Sequence, residues 1–321
     1  MDKTVEMSAN ELVAFFQKPA AELTKADIIT FVREKGIRMI DFMYPAEDGR
    51  MKTLNFMINN FSYLETILTD GERVDGSSLF PSFVEAESSD LYVVPRFRTA
   101  FVSPFSEIPT LCLLCSFFDK DGQPFACSPA QTLHRAAEAF TASTGMTYEA
   151  MGELEYYVIA EDDEMFPAVD QRGYHESGPF AKFNEFRKKC MSFIAQTGGQ
   201  IKYGHSEVGN FTTDGKVFEQ NEIEFLPCPV EDAADQLVLA KWVIRNLAYE
   251  YGLDVTFAPK ITVGKAGSGL HIHMRMMKDG RNCMTAGGKL SAEARRAIAG
   301  MMELAPSITC LLYTSPSPRD R

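Results

Sequence analysis

At Ser128 the chain changes texture, and that change limits what it can fold into. Before it, hairpin signals dominate. Ile37 to Tyr44 and Met51 to Ile58 flank a Pro45 to Arg50 turn containing Asp48-Gly49, and Leu54, Phe56 and Ile58 alternate onto one face. A second Asp-Gly turn, Asp121-Gly122, stands between the run Thr110 to Phe118 and Phe125 to Cys127, predicting another hairpin. Two short helical segments precede these strands, the second capped at Thr24 before Ala26 to Glu34. Ser128-Pro129-Ala130-Gln131 then reads as a capping box with proline at the first helical position, and Leu133, Ala136, Ala137 and Phe140 follow at helical spacing. From there strands and helices alternate: strand Thr147 to Val158, helix Ala181 to Gln196, strands Gln200 to Val208 and Phe218 to Phe225, helix Val230 to Tyr251, then strands Val255 to Lys260 and Leu270 to Met277. The pattern predicts an α+β protein with a domain boundary near residue 125.

A chain of 321 residues, 45% hydrophobic and 24% charged, is long enough for two cores of ordinary globular composition. Its formal charge of -12 repels a nucleic-acid backbone, so no nucleic-acid partner is expected. No apolar run reaches membrane-spanning length, so no membrane partner is expected either. Seven cysteines without framework spacing, and polar residues after Met1, predict a cytoplasmic protein. Cys112 and Cys115 form a C-x-x-C inside the run Leu111 to Phe118, which reads as buried thiols in a strand.

Glu153 and Glu155 flank Leu154 in a strand, so both carboxylates point one way and Leu154, Tyr156 and Val158 the other. Two such carboxylates repel unless a cation or proton lies between them. Glu222 and Glu224 repeat the arrangement, and Glu207 ends the strand that carries His205. His271 and His273 share a strand face after the flexible Gly267-Ser268-Gly269. A solvated sheet face explains any one of these pairs. Together they form a set of carboxylates with a histidine or two and no cysteine, which suits Mg²⁺ or Mn²⁺ and hence chemistry on phosphates.

The order of segments resembles the glutamine synthetase family: Val74-Asp75-Gly76-Ser77-Ser78, Gly152-Glu153-Leu154-Glu155, His205-Ser206-Glu207-Val208, Gln220-Asn221-Glu222-Ile223, Pro259-Lys260 and Gly267-Ser268-Gly269-Leu270-His271-Ile272-His273. The resemblance runs from about residue 30 to about Thr309. It implies an N-terminal β-grasp domain over residues 1–124, with its leading helices, and a catalytic domain of antiparallel sheet flanked by helices over residues 125–309. It implies a homo-oligomeric ring with each active site between neighbours. It further implies that Glu155, Glu207 and Glu222 hold one Mg²⁺ or Mn²⁺ ion, and that Glu153 and His271 hold another. Asp75 matches the acid that a neighbouring subunit donates across the interface to take a proton from ammonium, Ser78 and Tyr174 help form that pocket, Gly267 contacts glutamate, and His273 and Arg275 touch ATP. The implied activity is ATP-dependent ligation of ammonia to the γ-carboxylate of L-glutamate through a γ-glutamyl phosphate. The alternatives are a γ-glutamyl ligase for another amine and an inactive synthetase-like assembly protein.

Three features depart from the family pattern. The stretch from Glu207 to Glu222 is long, with Asp214-Gly215 suggesting an inserted hairpin. Ala266 stands where an asparagine is common, and Arg275 replaces a smaller polar residue. Residues 310–321, from Cys310 to Arg321, resemble translated vector or adapter sequence and are expected to be a non-native tail. The resemblance therefore implies a catalytic domain short of its C-terminal part and a chain inactive by itself.

Overall fold

The apolar run Thr110 to Phe118 is the most buried strand in the first of two units into which the chain divides. The structure is a computed structural model describing residues 5–314. One unit reaches to His134 and takes in Cys190–Gln200 and Val238–Asn246; the other comprises Arg135–Lys189, Ile201–Leu237 and the chain from Leu247 on.

The first part of the chain forms α1 (Glu11–Phe16), α2 (Lys25–Lys35), β1 (Met39–Pro45), β2 (Met51–Met57), α3 (Phe61–Asp70), β3 (Glu72–Asp75), α4 (Gly76–Leu79), β4 (Asp90–Pro95), β5 (Phe101–Val102) and β6 (Thr110–Phe118). Thr24 caps α2 as expected, its hydroxyl accepting from Asp27 N–H while Asp27 accepts from the Thr24 backbone. The sheet runs β2-β1-β6-β4-β3, with β5 also on β6. β1 and β6 are parallel. Ile40, Phe42, Leu111, Leu113, Cys115 and Phe117 turn to one side, against Phe31 and Leu64 from the helices. Met43, Cys112 and Leu114 turn to the other, against Leu239 and Trp242. Burial on both faces is why β6 reads as an unbroken apolar run rather than an alternation. It also places Cys112 and Cys115 on opposite faces, so they share no ion, and burial pushes both thiols up.

The hairpin across Asp48-Gly49 forms as expected, with Tyr44 opposite Lys52 and Phe42 opposite Leu54. The second expected hairpin forms only its turn. Asp119 N–H donates to the Gln123 carbonyl, but the returning arm is a single bridge from Phe118 to Pro124. Pro124 has no N–H to continue a ladder.

The rest of the chain forms α5 (Pro129–Thr144), β7 (Thr147–Glu161), α6 (Asn184–Gln196), β8 (Ile201–Thr213), β9 (Lys216–Phe225), β10 (Cys228–Pro229), α7 (Val230–Tyr251), β11 (Asp254–Thr256), β12 (Leu270–Lys278), β13 (Arg281–Asn282), β14 (Thr285–Ala286), β15 (Lys289–Leu290), α8 (Ala292–Glu303) and α9 (Ala305–Thr314). The second unit is built on an antiparallel sheet of order β13-β12-β7-β9-β8, with β10 and β11 also on β7. The chain is α+β, as its sequence predicts.

Several boundaries differ from expectation. α6 begins at Asn184 instead of Ala181. The strand expected to reach Lys260 stops at Thr256, because Pro259 cannot donate and its carbonyl accepts from Ser268 N–H at 2.9 Å. β8 and β9 run past Val208 and Phe218 into the suspected inserted hairpin, whose Asp214 and Gly215 both have positive φ, 53° and 74°, as a tight two-residue turn requires. α9 carries the helix through to Thr314, so part of the segment expected as a tail is helical backbone; residues 315–321 lie outside the described residues.

Candidate active site

Pairing register gathers the carboxylates. β7 sets Glu153 opposite Glu224 and Glu155 opposite Glu222 on β9; β8 sets His205 opposite Glu222, and β12 sets His271 opposite Glu153. With strand period 2, all of these side chains lie on one face of the sheet.

Two clusters result. In the first, His205, Glu207 and Glu222 bring one ligand atom each within 4.8 Å of one another. His205 Nε2 is 3.3 Å from Glu222 Oε2, and Nδ1 is 3.7 Å from Glu207 Oε1. Burial, with Glu155, Glu153, Glu207 and Glu224 nearby, pushes the Glu222 carboxyl up to about 8. In the second cluster, Glu153 Oε2 lies 2.9 Å from His271 Nδ1 and Glu153 Oε1 lies 2.7 Å from His273 Nε2. The hydrogen bond to Glu153 raises the His271 pKa.

Other acids are already engaged. Glu155 Oε2 accepts from Gln220 Nε2 at 2.7 Å and from Gly269 N–H at 2.9 Å, while burial raises its pKa against the Gly269 bond. Burial pushes Glu224 up as well, but hydrogen bonds from Lys202, at 2.5 Å, and from Tyr203 outweigh it and hold that carboxyl low. Arg275 forms an ion pair with Glu149, its register partner, at 2.5 Å. Gly267 is pressed against the Pro259 carbonyl so closely that a Cβ there would come within 2.4 Å of the oxygen. Ala266 is pinned on both sides: its N–H donates to Gln171 Oε1 at 2.6 Å and its carbonyl accepts from Tyr157 at 2.8 Å.

Asp75 and Ser78 lie in the first unit, Asp75 as the N-cap of α4 and Ser78 within that helix. Ser78 Oγ donates to Asp75 Oδ2 at 2.6 Å and Ser77 Oγ to Oδ1 at 2.7 Å, and these hydroxyls lower the Asp75 pKa to about 2. Tyr174 lies in the second unit, exposed, stacked on His175 at 4.0 Å and edge-on to His205 at 5.4 Å.

The site-residue set read from the sequence omits His205 and Gln220. His205 stands two residues before Glu207 on a strand, a spacing that already puts both on one face. Gln220 is 1% exposed, and its amide links Glu155, Gly267 and Gly209; nothing local in the sequence marks such a hub.

The donor set fits hard divalent ions. Oxygen ligands dominate, an imidazole or two joins them, and clustered carboxylates with Glu222 at about 8 favour a cation among them. This sheet face, on an α+β fold, gathers carboxylates and imidazoles in the donor set that hard divalent ions take.

The comparisons with known proteins are specific. Residues 36–120 match the glutamine synthetase β-grasp domain and residues 126–321 match the glutamine synthetase catalytic domain. The chain belongs to the glutamine synthetase family, and its N-terminal sheet is that family's β-grasp. It is 29% identical over 291 residues to a glutamine synthetase of Clostridium saccharobutylicum, covering 88% of this chain and 63% of the relative. It is 28% identical over 323 residues to a 3-hydroxylaminophenol mutase of Cupriavidus pinatubonensis, covering 89% of this chain and 66% of the relative. The chain thus spans just under two thirds of the length of these relatives. A cryo-EM structure of Plasmodium falciparum glutamine synthetase matches in fold, with a TM-score of 0.76 at 18% identity over 88% of this chain and 60% of that one. Among the described residues, no helix is long and apolar enough to cross a membrane.

Proposed function

We propose that this chain is the larger part of a glutamine synthetase, which joins ammonia to the side-chain carboxylate of L-glutamate at the expense of ATP and assembles as a homo-oligomeric ring. The observation that carries this reading is the single sheet face on which Glu153, Glu155, Glu222 and His271 meet in register, with Glu207 brought in beside them from the irregular stretch of β8.

Bound Mg²⁺ or Mn²⁺ would supply the positive charge that lets a glutamate carboxylate approach the terminal phosphate of ATP. The chain's own groups do the rest. Glu155, Glu207 and Glu222 would hold one ion and Glu153 and His271 the other, while His273 bonds the second oxygen of Glu153. Gln220 and Gly269 N–H fix Glu155, and Gln220 also ties it to the Gly267 carbonyl, on the segment that would meet glutamate. The carboxylate oxygen attacks the terminal phosphorus and ADP leaves. Ammonia then displaces phosphate from the acyl phosphate. Asp75 and Ser78, donated by the neighbouring subunit of the ring to the pocket that Tyr174 helps to form, would draw ammonium in, with Asp75 receiving its proton. Arg275, held by Glu149, turns toward ATP only if that ion pair opens.

A second reading, a γ-glutamyl ligase for a larger amine, is favoured by Ala266, whose methyl group offers no polar contact while both of its backbone groups are held. Glutamate-dependent ATP hydrolysis by the intact protein separates the two. Ammonium should stimulate it more than ethylamine or putrescine, and the reverse ranking favours the second reading.

A further inference from the structure

His205 is held in an orientation that its role as a strand residue does not require. Its Nδ1 lies 3.0 Å from the Ser206 carbonyl oxygen. A carbonyl only accepts, so Nδ1 carries the hydrogen, and in the neutral ring Nε2 presents a lone pair. That lone pair faces Glu222 Oε2 at 3.3 Å. Two acceptors at this distance repel unless a proton or a metal ion joins them.

The ring cannot easily turn away. The Ser206 carbonyl also accepts from His175 N–H at 3.0 Å, and Ser206 Oγ donates to the carbonyls of Gly173, at 2.9 Å, and Glu176, at 3.0 Å. These bonds lash the 173–176 loop to β8, and the loop lays His175 over the His205 ring at 4.4 Å. A histidine whose outer nitrogen is fixed by a backbone carbonyl while its inner nitrogen faces a carboxylate, here Glu222, has the support that metal-binding imidazoles receive. His205, Glu207 and Glu222 each bring a ligand atom within 4.8 Å of one another, so small side-chain shifts would close them onto one ion, whose bonds of about 2.0–2.2 Å keep its ligands within about 4.4 Å. Glu155 is the acid that turns aside, its Oε2 taken by Gln220 and Gly269.

We propose that His205 Nε2 is a direct ligand of the divalent ion held by Glu207 and Glu222, making this a mixed nitrogen and oxygen site that prefers Mn²⁺, Co²⁺ or Zn²⁺ to Mg²⁺. The proposal rests on the metal-centre reading of the preceding subsection. Imidazole is a good ligand for the transition ions and a poor one for Mg²⁺, which selects oxygen.

The test uses the 321-residue chain with Mn²⁺ as the probe. His271 and His273 are the other imidazoles at the sheet face, so the background is H271Q/H273Q. Pulsed EPR of bound Mn²⁺ should show ¹⁴N coupling in that background and lose it when H205Q is added. Calorimetry should show Mn²⁺ affinity falling roughly ten-fold or more in H205Q, while Mg²⁺ affinity moves far less. Should H205Q fail to fold, H205C supplies an independent readout: Co²⁺ should give a thiolate-to-cobalt absorption band absent from the parent chain. Persistence of the ¹⁴N coupling in H205Q/H271Q/H273Q, an equal loss for Mn²⁺ and Mg²⁺, or no cobalt band in a folded H205C would overturn the proposal. Failure of the metal-centre reading itself looks different: the parent chain would bind no Mn²⁺, or Glu207→Gln and Glu222→Gln would leave Mn²⁺ binding unchanged.

Discussion

Gln220 Nε2 donates to Glu155 Oε2 at 2.7 Å, and the same amide reaches the Gly267 carbonyl at 2.8 Å. Its oxygen accepts from Gly209 N–H at 3.0 Å. One buried side chain thus joins a carboxylate of the metal face, the glycine segment before β12 and the irregular stretch of β8. Replacing it by leucine keeps the bulk and strands three buried polar partners. We expect Gln220→Leu to lower stability by on the order of 2–4 kcal/mol in urea denaturation. A loss below about 0.5 kcal/mol would show that the network contributes nothing to the fold.

Gly209 occupies the bulge between the paired stretches at Ser206 and Asn210, where the β8 and β9 register shifts. A Cβ there would meet Tyr157 Oη at 2.0 Å and Gln220 Oε1 at 2.7 Å, and neither can retreat without giving up a hydrogen bond. Gly209→Ala should therefore destabilise by about 1–3 kcal/mol. It should also weaken Mn²⁺ binding, since the same bulge carries Glu207. Calorimetry and thermal melting on one sample check both outcomes, and an alanine variant that melts and binds as the parent does would refute the close approach.

The strand carboxylates and the residues facing them were legible locally, because a two-residue period fixes the side of a strand without reference to the rest of the chain. The start of α5 at Pro129 and the full extent of α7 were legible for similar reasons. The order β12-β7-β9-β8 was not. It is a long-range pairing, and only that pairing places His271 beside Glu153 and His205 beside Glu222. Arg275 shows the same limit: its sequence position suggests a nucleotide contact, while its register partner Glu149 occupies its guanidinium. Glu224 repeats the Glu-x-Glu pattern of Glu153 and Glu155 but is neutralised by Lys202, a cross-strand contact that no spacing rule reveals.

Glu222 makes the stability of the ion-free chain depend on pH. Burial and neighbouring acids raise its folded pKa from 4.5 to about 8, so between those values the folded state holds a proton that the unfolded state releases. Stability then falls as pH rises through that window and levels off above it. Melting points measured from pH 5 to 8 should decline more steeply in the parent than in Glu222→Gln, which carries no such proton. Saturating Mn²⁺ should flatten the parent's slope by taking the proton's place. Equal slopes in parent and variant would remove Glu222 as the cause.

Asp75 behaves in the opposite way. The Ser78 and Ser77 hydroxyls hold its carboxyl at about 2, below the unfolded value of about 3.9. A depressed acid contributes stability that is present above the unfolded pKa and lost only as pH falls toward the folded one, so Asp75 is ionised throughout neutral conditions. This makes it a strong attractor of ammonium and a weak base, so its charge should matter more to binding the cation than to removing the proton. Asp75→Asn in the intact protein should raise the KM for ammonium roughly ten-fold or more and leave the KM for ATP within about two-fold. Ser78→Ala should raise the Asp75 pKa but not far enough to discharge it at pH 7, so its ammonium KM should move much less than that of Asp75→Asn. If the two variants shift ammonium KM equally, or if ATP KM rises in step, the carboxylate charge is not what the amine site uses.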